Sequence, residues 1–332
     1  MSQSAAASSA SKPKHWQRVL RWLLAPACFV ILAWMVMRVG PGQLLSTLCS
    51  MPYTIAACVA VWGVGYLLNA ASFRQVIGGV GGDTCPSYGR VLHLTVTGYA
   101  INYVTPFGLL GGEPWRILRL KPYCGTERAT QSVVLYSMMH IASHFCFWLL
   151  SLLVAVAVVG RVGETGAETG LPLWAFCLLA LCLLTLLWLF WRLYRRGIAL
   201  RFMRRWVDWP LLNPSVLPPD RFLRALGLEL LSRLVNVVEY WLIMQSLGYE
   251  SFGYAESLLV VAFSSLLANV LFFSPLQMGT REGGIYLALQ YLMTGDLLPV
   301  AVTLSFATRI REFVWIALGL AGLGLKRSNG EK

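Results

Sequence analysis

The sequence of 332 residues is poor in charged side chains, and this scarcity excludes the most common class of protein. Charged residues make up 13% of the chain and apolar residues 57%, whereas soluble domains contain roughly 25% and 45–50%. Acidic residues are especially few, because 15 Asp and Glu stand against 27 Lys and Arg and leave a net charge of +12. A soluble globular protein is therefore excluded.

The positive charge does not indicate a nucleic-acid partner, although basic proteins often have one. Basic residues alternate with apolar runs of bilayer length, a pattern typical of cytoplasmic loops that face anionic lipid headgroups. The chain also lacks a CxxC pair, an HExxH motif and a GxxxxGK[ST] phosphate loop. We therefore expect no metal site, no cofactor and no ATP hydrolysis. Five of the eight cysteines lie inside apolar runs and are interpreted as small core residues: Cys28, Cys58, Cys146, Cys177 and Cys182.

Apolar runs predict about six full transmembrane helices, since roughly 20 such residues cross about 30 Å of hydrocarbon. Five stretches qualify readily: residues 19–37, 53–72, 131–159, 172–191 and 299–325. A sixth, residues 222–247, carries Glu229, Arg233, Asn236 and Glu239 at intervals of three or four positions. This spacing places the four on one helical face, which we expect to point into protein rather than lipid.

Basic segments predict the orientation of the chain in the cell (inner) membrane. Eight arginines lie between positions 192 and 224, which puts the segment 192–221 in the cytoplasm. Basic residues also precede the first span and follow the last, so both termini are predicted to be cytoplasmic. The expected divisions are a disordered leader at 1–18, a membrane domain at 19–325 and a tail at 326–332.

Two further segments are apolar but too short to cross the bilayer. Residues 91–104 give about 21 Å of helix, Pro106 breaks them, and Gly111 and Gly112 begin a second short helix with a basic end. The sequence therefore predicts a re-entrant hairpin that enters from the cytoplasm and returns to it.

The same form recurs at residues 257–273. Pro275 breaks this segment, and Gly279 is followed by Thr280, which can cap the next short helix. The flanks are acidic, so this second hairpin is predicted to enter from the outside. The two hairpins then point in opposite directions.

Matching residues in the two parts of the chain, combined with the opposite directions of the two hairpins, predict an inverted repeat with halves at about 53–159 and 222–325. Asn69 and Asn102 match Asn236 and Asn269 at an offset of 167 positions, and Pro106 and Glu113 match Pro275 and Glu282 at 169. The predicted fold class is thus all-α, a polytopic integral membrane protein with six full spans and two re-entrant hairpins. Inverted repeats place their substrate site near the membrane midplane.

The motif P-x-x-x-x-G-G-E-P-x-R at 106–116, the motif S-P-x-x-x-G-T-R-E-G-G at 274–284 and a late Arg309 resemble a known family. This family is the lysylphosphatidylglycerol synthase transmembrane region, the flippase-like domain that forms the membrane half of aminoacyl-phosphatidylglycerol synthases. The resemblance covers roughly residues 20–325. It implies a stand-alone flippase-like domain without the aminoacyl-transferase domain, and a membrane lipid as its partner.

Charged residues at membrane depth form the candidate site, because each costs about 2.5–3.5 kcal/mol to insert and needs a partner. We expect Arg116 and Arg281 to hold a lipid phosphate bidentately, aided by helix N-termini at Gly112 and Thr280. The other predicted headgroup-binding residues are Arg309, Glu113, Glu282, Asn102 and Asn269. The function predicted is movement of an anionic phospholipid or lipid-linked glycan between the leaflets, and no enzyme activity is expected.

Two other functions stay open at this point. A membrane-embedded enzyme acting on lipid-linked phosphate or sugar would use Glu113 or Glu282 as a base, with His140 and His144. A secondary transporter of a small anion would share the inverted-repeat architecture. His140 and His144 stand four positions apart on a helix, and we interpret them as a polar contact between helices. Expected partners are anionic or polyprenyl-linked lipids and either a second copy of the chain or a separate lipid-modifying enzyme.

Overall fold

The computed structural model describes residues 33–80, 85–104, 112–163, 217–271 and 279–325, with isolated positions 181, 183–185, 188, 192 and 277. Every named element in these residues is an α-helix, which agrees with the predicted all-α class. The helices are α1 (Pro41–Cys49), α2 (Pro52–Gly79), α3 (Tyr88–Val104), α4 (Gly112–Gly163), α5 (Pro219–Ser246), α6 (Tyr254–Val270), α7 (Thr280–Leu292) and α8 (Leu298–Leu325).

Several predicted features lie wholly or mainly outside the described residues. They are the leader 1–18, the spans 19–37 and 172–191, the segment 192–221, the tail 326–332 and the hairpin-turn residues Pro106, Gly111 and Pro275. The other predicted spans coincide with helices: 53–72 lies in α2, 131–159 in α4, 222–247 largely in α5 and 299–325 in α8.

Among the described residues, two helical stretches are long and apolar enough to cross a bilayer by length and composition, namely Pro52–Gly79 and Gly112–Ala155. α4 is interrupted at Gly125, whose φ of 77° breaks the helical backbone. Glycine adopts this left-handed conformation without the steric cost that other residues carry. The first part of α4, up to this break, is therefore a short helix separate from the long apolar part.

The helices pack around apolar clusters, but the protein also buries several charged side chains and exposes many large apolar ones. Arg116, Arg311 and Glu282 are among the least exposed side chains. Leu153 is 72% exposed and Phe313 is 66% exposed. Charged residues are almost never fully buried in soluble proteins unless paired, and exposed apolar side chains suit a surface that contacts lipid.

α2 and α5 run antiparallel and pack along their length. Near one end of this contact, Cys58 Sγ lies 3.9 Å from the carbonyl oxygen of Glu239. Near the other end, the Ser72 hydroxyl donates to the carbonyl oxygen of Ala225 at 2.9 Å. Residue numbers rise along one helix as they fall along the other, so the two helices point in opposite directions.

The middle of this contact lies at Gly65, where the Ser232 hydroxyl donates to the Gly65 carbonyl oxygen at 3.2 Å. The two residues are 167 positions apart, the offset at which Asn69 matches Asn236 in the sequence. A Cβ on Gly65 would stand 2.6 Å from Asn236 Oδ1, so glycine permits the close approach. The residues in contact where the helices cross are therefore separated by the same number of positions as the residues that match in the sequence.

A matching hydrogen bond fastens α3 to α2 and α6 to α5. The Tyr88 hydroxyl donates to the Leu67 carbonyl oxygen at 2.7 Å, and the Tyr254 hydroxyl donates to the Leu234 carbonyl oxygen at 2.7 Å. α3 also packs on α8, while α6 packs on α4 and α7. Each short helix thus contacts the long helix from the other part of the chain.

Candidate functional site

The most buried ion pair within the described part of the chain joins α8 to α5. Arg311 donates from Nε to Glu239 Oε1 at 2.9 Å and from Nη2 to Glu239 Oε2 at 3.1 Å, a bidentate geometry. Trp62 of α2 donates from Nε1 to the same carboxylate at 2.6 Å, and its ring lies 3.6 Å from Arg311 Cζ. Both charges are therefore compensated by direct contacts.

Glu282, at the start of α7, accepts four hydrogen bonds. The Gly279 backbone N–H donates to Oε2 at 2.8 Å, which caps the helix. Ser305 donates to Oε1 at 2.7 Å, and Arg309 donates to Oε1 from Nε at 3.1 Å and from Nη2 at 2.6 Å. The carboxylate is fully buried and joins α7 to α8.

Arg281, the neighbour of Glu282, also contacts α8. Its Nη1 donates to Glu312 Oε1 at 2.5 Å, and its Nη2 donates to Thr308 Oγ1 at 2.8 Å. Glu312 in turn lies 3.6 Å from Arg311 Nη2. The three arginines of α7 and α8 are thus all engaged with carboxylates.

The first part of α4 begins against α3. The Gly112 backbone N–H donates to Asn102 Oδ1 at 2.6 Å, and Asn102 Nδ2 donates to Glu113 Oε1 at 3.4 Å. The carbonyl oxygen of Gly98 is so close to Gly112 that a Cβ there would overlap it. This glycine permits the helix N-terminus to approach the neighbouring backbone.

Arg116 lies one turn further along α4, 2% exposed, in a group of aromatic rings. Its Cζ is 4.8 Å from the ring centre of Tyr99, 5.5 Å from that of Tyr136 and 6.0 Å from that of Phe73. Its polar contacts are long, at 3.6 Å to Glu113 Oε1 and 3.5 Å to a backbone carbonyl oxygen. Arg116 Nε is buried without a hydrogen-bond partner among the described residues.

A second polar group lies between α4 and α5. His140 Nδ1 is 2.8 Å from Glu229 Oε2, and Glu229 Oε1 is buried with no hydrogen-bond partner in the described part of the chain. Arg233 donates to Ser143 Oγ at 2.7 Å and to the His140 carbonyl oxygen at 2.9 Å. Among the ion pairs of the described residues, none involves Arg233.

Tyrosines connect these two groups. The Tyr99 hydroxyl lies 3.3 Å from the Tyr136 hydroxyl and 3.4 Å from His140 Nδ1. The Tyr66 ring lies 5.5 Å from the Tyr99 ring and 4.8 Å from the Trp315 ring of α8. A continuous aromatic and polar contact thus runs from Arg116 to the helix that carries the paired arginines.

The five arginines of these polar groups differ in how closely they contact a carboxylate. Arg281, Arg309 and Arg311 each contact a carboxylate oxygen at 2.9 Å or less. Arg116 has only long contacts, and Arg233 contacts neutral oxygens. An anion that enters the membrane domain would gain most where guanidinium charge is least compensated.

The predicted site residues divide into two groups by location. Gly112, Asn102, Glu113 and Arg116 come together where α3 meets α4, whereas Gly279, Thr280, Arg281, Glu282 and Arg309 come together where α7 meets α8. Asn269 joins neither group, since its side chain is exposed and donates to the Ser265 carbonyl oxygen. Pro106, Gly111 and Pro275 lie outside the described residues.

Several residues of these buried polar groups were not among the predicted headgroup-binding residues: Arg233, Arg311, Glu229, Glu239, His140 and Tyr99. A signal did exist for those on α5, because their spacing already marks an inward face. For the aromatic residues there was none, since tyrosines are common in membrane proteins at positions without a site.

Comparison with known protein families gives a match that covers most of the chain. The family described as the lysylphosphatidylglycerol synthase TM region aligns with residues 18–320, nearly the whole sequence. A search of curated proteins finds no match.

Proposed function

The chain belongs to the lysylphosphatidylglycerol synthase TM region family, and on this premise we propose that it moves an anionic lipid between membrane leaflets. Membrane location and a lipid-related role follow from the family. The lipid is an anionic phospholipid or a lipid-linked glycan, whose headgroup passes through the protein while its acyl chains stay in the bilayer. We place the protein in the cytoplasmic (inner) membrane, with both of its termini in the cytoplasm.

An inverted repeat is the architecture that we propose for this movement, with halves at 53–159 and 222–325. It is supported by the antiparallel packing of α2 and α5 around a contact 167 positions apart. The matching bonds of Tyr88 and Tyr254 support it as well. In such repeats, alternating access is a movement of one half against the other around a central site.

The two hairpins of this repeat consist of α3 with the first part of α4, and of α6 with α7. We propose that they enter the membrane from opposite sides and meet near its middle. Their helix lengths are consistent with this, since the 17 residues of α3 or α6 span about 26 Å, less than the hydrocarbon core. The charged starts of the first part of α4 and of α7, which follow the two hairpin breaks, would then lie near the middle of the membrane.

The observation that best supports the proposal is that Arg116 is buried without a close counter-charge. This side chain is buried, yet its nearest carboxylate oxygen is 3.6 Å away and its Nε lacks a partner among the described residues. A buried guanidinium without a close counter-charge is costly. A lipid phosphate would supply the missing charge and two acceptor oxygens in the geometry that arginine prefers.

The paired arginines form the second half of the proposed path. Arg281 and Arg309 hold Glu312 and Glu282 at 2.5 and 2.6 Å. A passing phosphate would replace these carboxylates in turn, so that the headgroup is never without a counter-charge. Glu113 and Glu282 keep the path neutral when it is empty.

Reconstitution tests the proposal directly. Purified protein is placed in vesicles that contain phosphatidylglycerol with a fluorescent acyl chain, and a membrane-impermeant quencher reports the fraction in the outer leaflet. Lipid in protein-containing vesicles should become fully accessible within minutes, whereas protein-free vesicles should stay near one half. Phosphatidylcholine carrying the same label should move much more slowly. Equal rates in vesicles with and without protein would refute lipid movement.

A further inference from the structure

His140 and Arg311 each contact one of two residues that match in the proposed repeat. Arg311 stacks on Trp62 of α2, and His140 contacts Glu229 of α5. Trp62 and Glu229 are 167 positions apart, the offset already seen between α2 and α5. The contact at Trp62 is thus made by a guanidinium, which stays protonated in proteins, and the contact at Glu229 by an imidazole, a side chain that can bind and release a proton.

The surroundings of His140 contain charges of both signs. The ring is approached by six ionisable groups: Glu229 and Arg233 of α5, Tyr99 of α3, and Arg116, Tyr136 and His144 of α4. Burial of the ring and the guanidinium groups of Arg233 and Arg116 oppose a positively charged ring, while the Glu229 carboxylate favours it. Tyr66 of α2 lies behind Tyr99 and adds no charge at neutral pH.

Charge balance in this group depends on one proton. With a neutral His140, the positive charges of Arg116 and Arg233 equal the negative charges of Glu113 and Glu229. With a protonated His140, the group carries one net positive charge. That charge matches a headgroup with a single negative charge, such as a phosphodiester.

From this balance we propose that His140, paired with Glu229, binds one proton together with the lipid headgroup, so that proton and anion cross the membrane together. The inference rests on the proposed lipid movement. A bound phosphate neutralises the guanidinium groups that oppose charge on His140, and proton uptake then becomes favourable. The unprotonated ring nitrogen accepts a proton from water on one side and returns it to water on the other side when the headgroup leaves.

Proton uptake on lipid binding tests the site without requiring transport. Purified protein in neutral detergent and weak buffer near pH 7 is titrated with dioctanoyl phosphatidylglycerol while a pH indicator is followed. The wild type should take up as much as one proton per bound lipid, and His140→Gln should bind the lipid with no uptake. His93→Gln is the matched control, because the His93 ring contacts a backbone carbonyl oxygen of α8 at 2.9 Å. Uptake that is unchanged in His140→Gln would overturn the proposal.

A pH gradient across vesicles tests the coupling itself. If one proton crosses with each monoanion, movement is electrically neutral, and a gradient of one pH unit drives phosphatidylglycerol towards a tenfold excess in the leaflet on the alkaline side. Clamping the membrane potential with potassium and valinomycin should not change this ratio. His140→Gln should allow, at most, even distribution. An even distribution in the wild type would refute coupling while leaving lipid movement intact.

The two proposals can fail separately. Lipid movement fails if the wild type accelerates no lipid relative to protein-free vesicles, whatever the pH gradient. Proton uptake in detergent then still decides whether His140 is a proton site linked to the anion. Glu229→Gln provides a second variant for both assays, since it removes the carboxylate that favours the charged ring and should reduce uptake as His140→Gln does.

Discussion

Arg311 and Glu239 form a bidentate ion pair between α8 and α5, with nitrogen–oxygen distances of 2.9 and 3.1 Å, and both side chains are 1% exposed. Buried pairs of this kind contribute little net stability compared with a well-packed apolar pair, but breaking one leaves an isolated charge that is expensive. The pair therefore holds α8 against α5, and removing either side chain should destabilise the protein.

Replacing Glu239 with glutamine should destabilise the protein strongly. Arg311 would keep its charge, with Glu312 as a more distant carboxylate at 3.6 Å that already binds Arg281. Breaking a buried pair in this way costs about 3–5 kcal/mol. Thermal unfolding in detergent, followed by tryptophan fluorescence, should show a midpoint lower by several degrees. Glu250→Gln, in an exposed position, should unfold like the wild type. A double variant with Glu239→Met and Arg311→Met should recover most of the loss, and a failure to recover would point to the contact with Trp62 instead.

Replacing Arg116 with glutamine should slow phosphatidylglycerol movement about tenfold or more. A hydrogen bond to a charged group contributes roughly 1.5–3 kcal/mol, and the variant loses the charge that we assign to the phosphate. Arg119→Gln is the control, since Arg119 lies on the exposed side of α4 over Trp115. Equal rates in the two variants, at equal amounts of folded protein by size-exclusion chromatography, would remove Arg116 from the path.

Gly112→Ala should destabilise the contact between α3 and α4. The added methyl group would overlap the backbone carbonyl oxygen of Gly98, which cannot move without shifting a helix. Overpacking of this kind costs about 1–3 kcal/mol. Gly283→Ala, in the first turn of α7, meets no atom within 4 Å and is the matched control. A Gly112→Ala protein as stable as the control in thermal unfolding would contradict the close approach.

Cysteine labelling should place the starts of α3 and α6 on opposite sides of the membrane. Ser87 and Ser251 are exposed positions just before these helices, and each is changed to cysteine in a protein without its eight native cysteines. In intact cells, an impermeant maleimide should react with the Ser251→Cys protein and not with the Ser87→Cys protein. After the membrane is opened, both should react. Labelling of both from one side would exclude the inverted repeat.

The long helices follow from the sequence because apolar length and helical spacing are local properties. The inward face of α5 is an example, since Glu229 and Glu239 are both almost fully buried. Their partners are not local. The spacing of charged residues along α5 does not predict that Glu229 contacts a histidine of α4 and Glu239 an arginine of α8. These contacts depend on how the helices pack.

The predicted headgroup-binding residues show the same limit. Arg281 and Glu282 are neighbours in the chain, yet each bonds to a different residue of α8, because adjacent helical side chains point in different directions. Asn102 and Asn269 match in sequence, but Asn102 caps a helix while Asn269 is exposed. A sequence match between the proposed halves therefore predicts where a residue lies on its helix, but not which residues its side chain contacts.

α5 supplies the carboxylates for both His140 and Arg311. At the positions 167 residues earlier, α2 carries Trp62 and Ser72 instead of Glu229 and Glu239. The two proposed halves are consequently not interchangeable. If the gene were cut between them, the two fragments should assemble only as an unlike pair, because two copies of the first fragment would leave the imidazole without its acid.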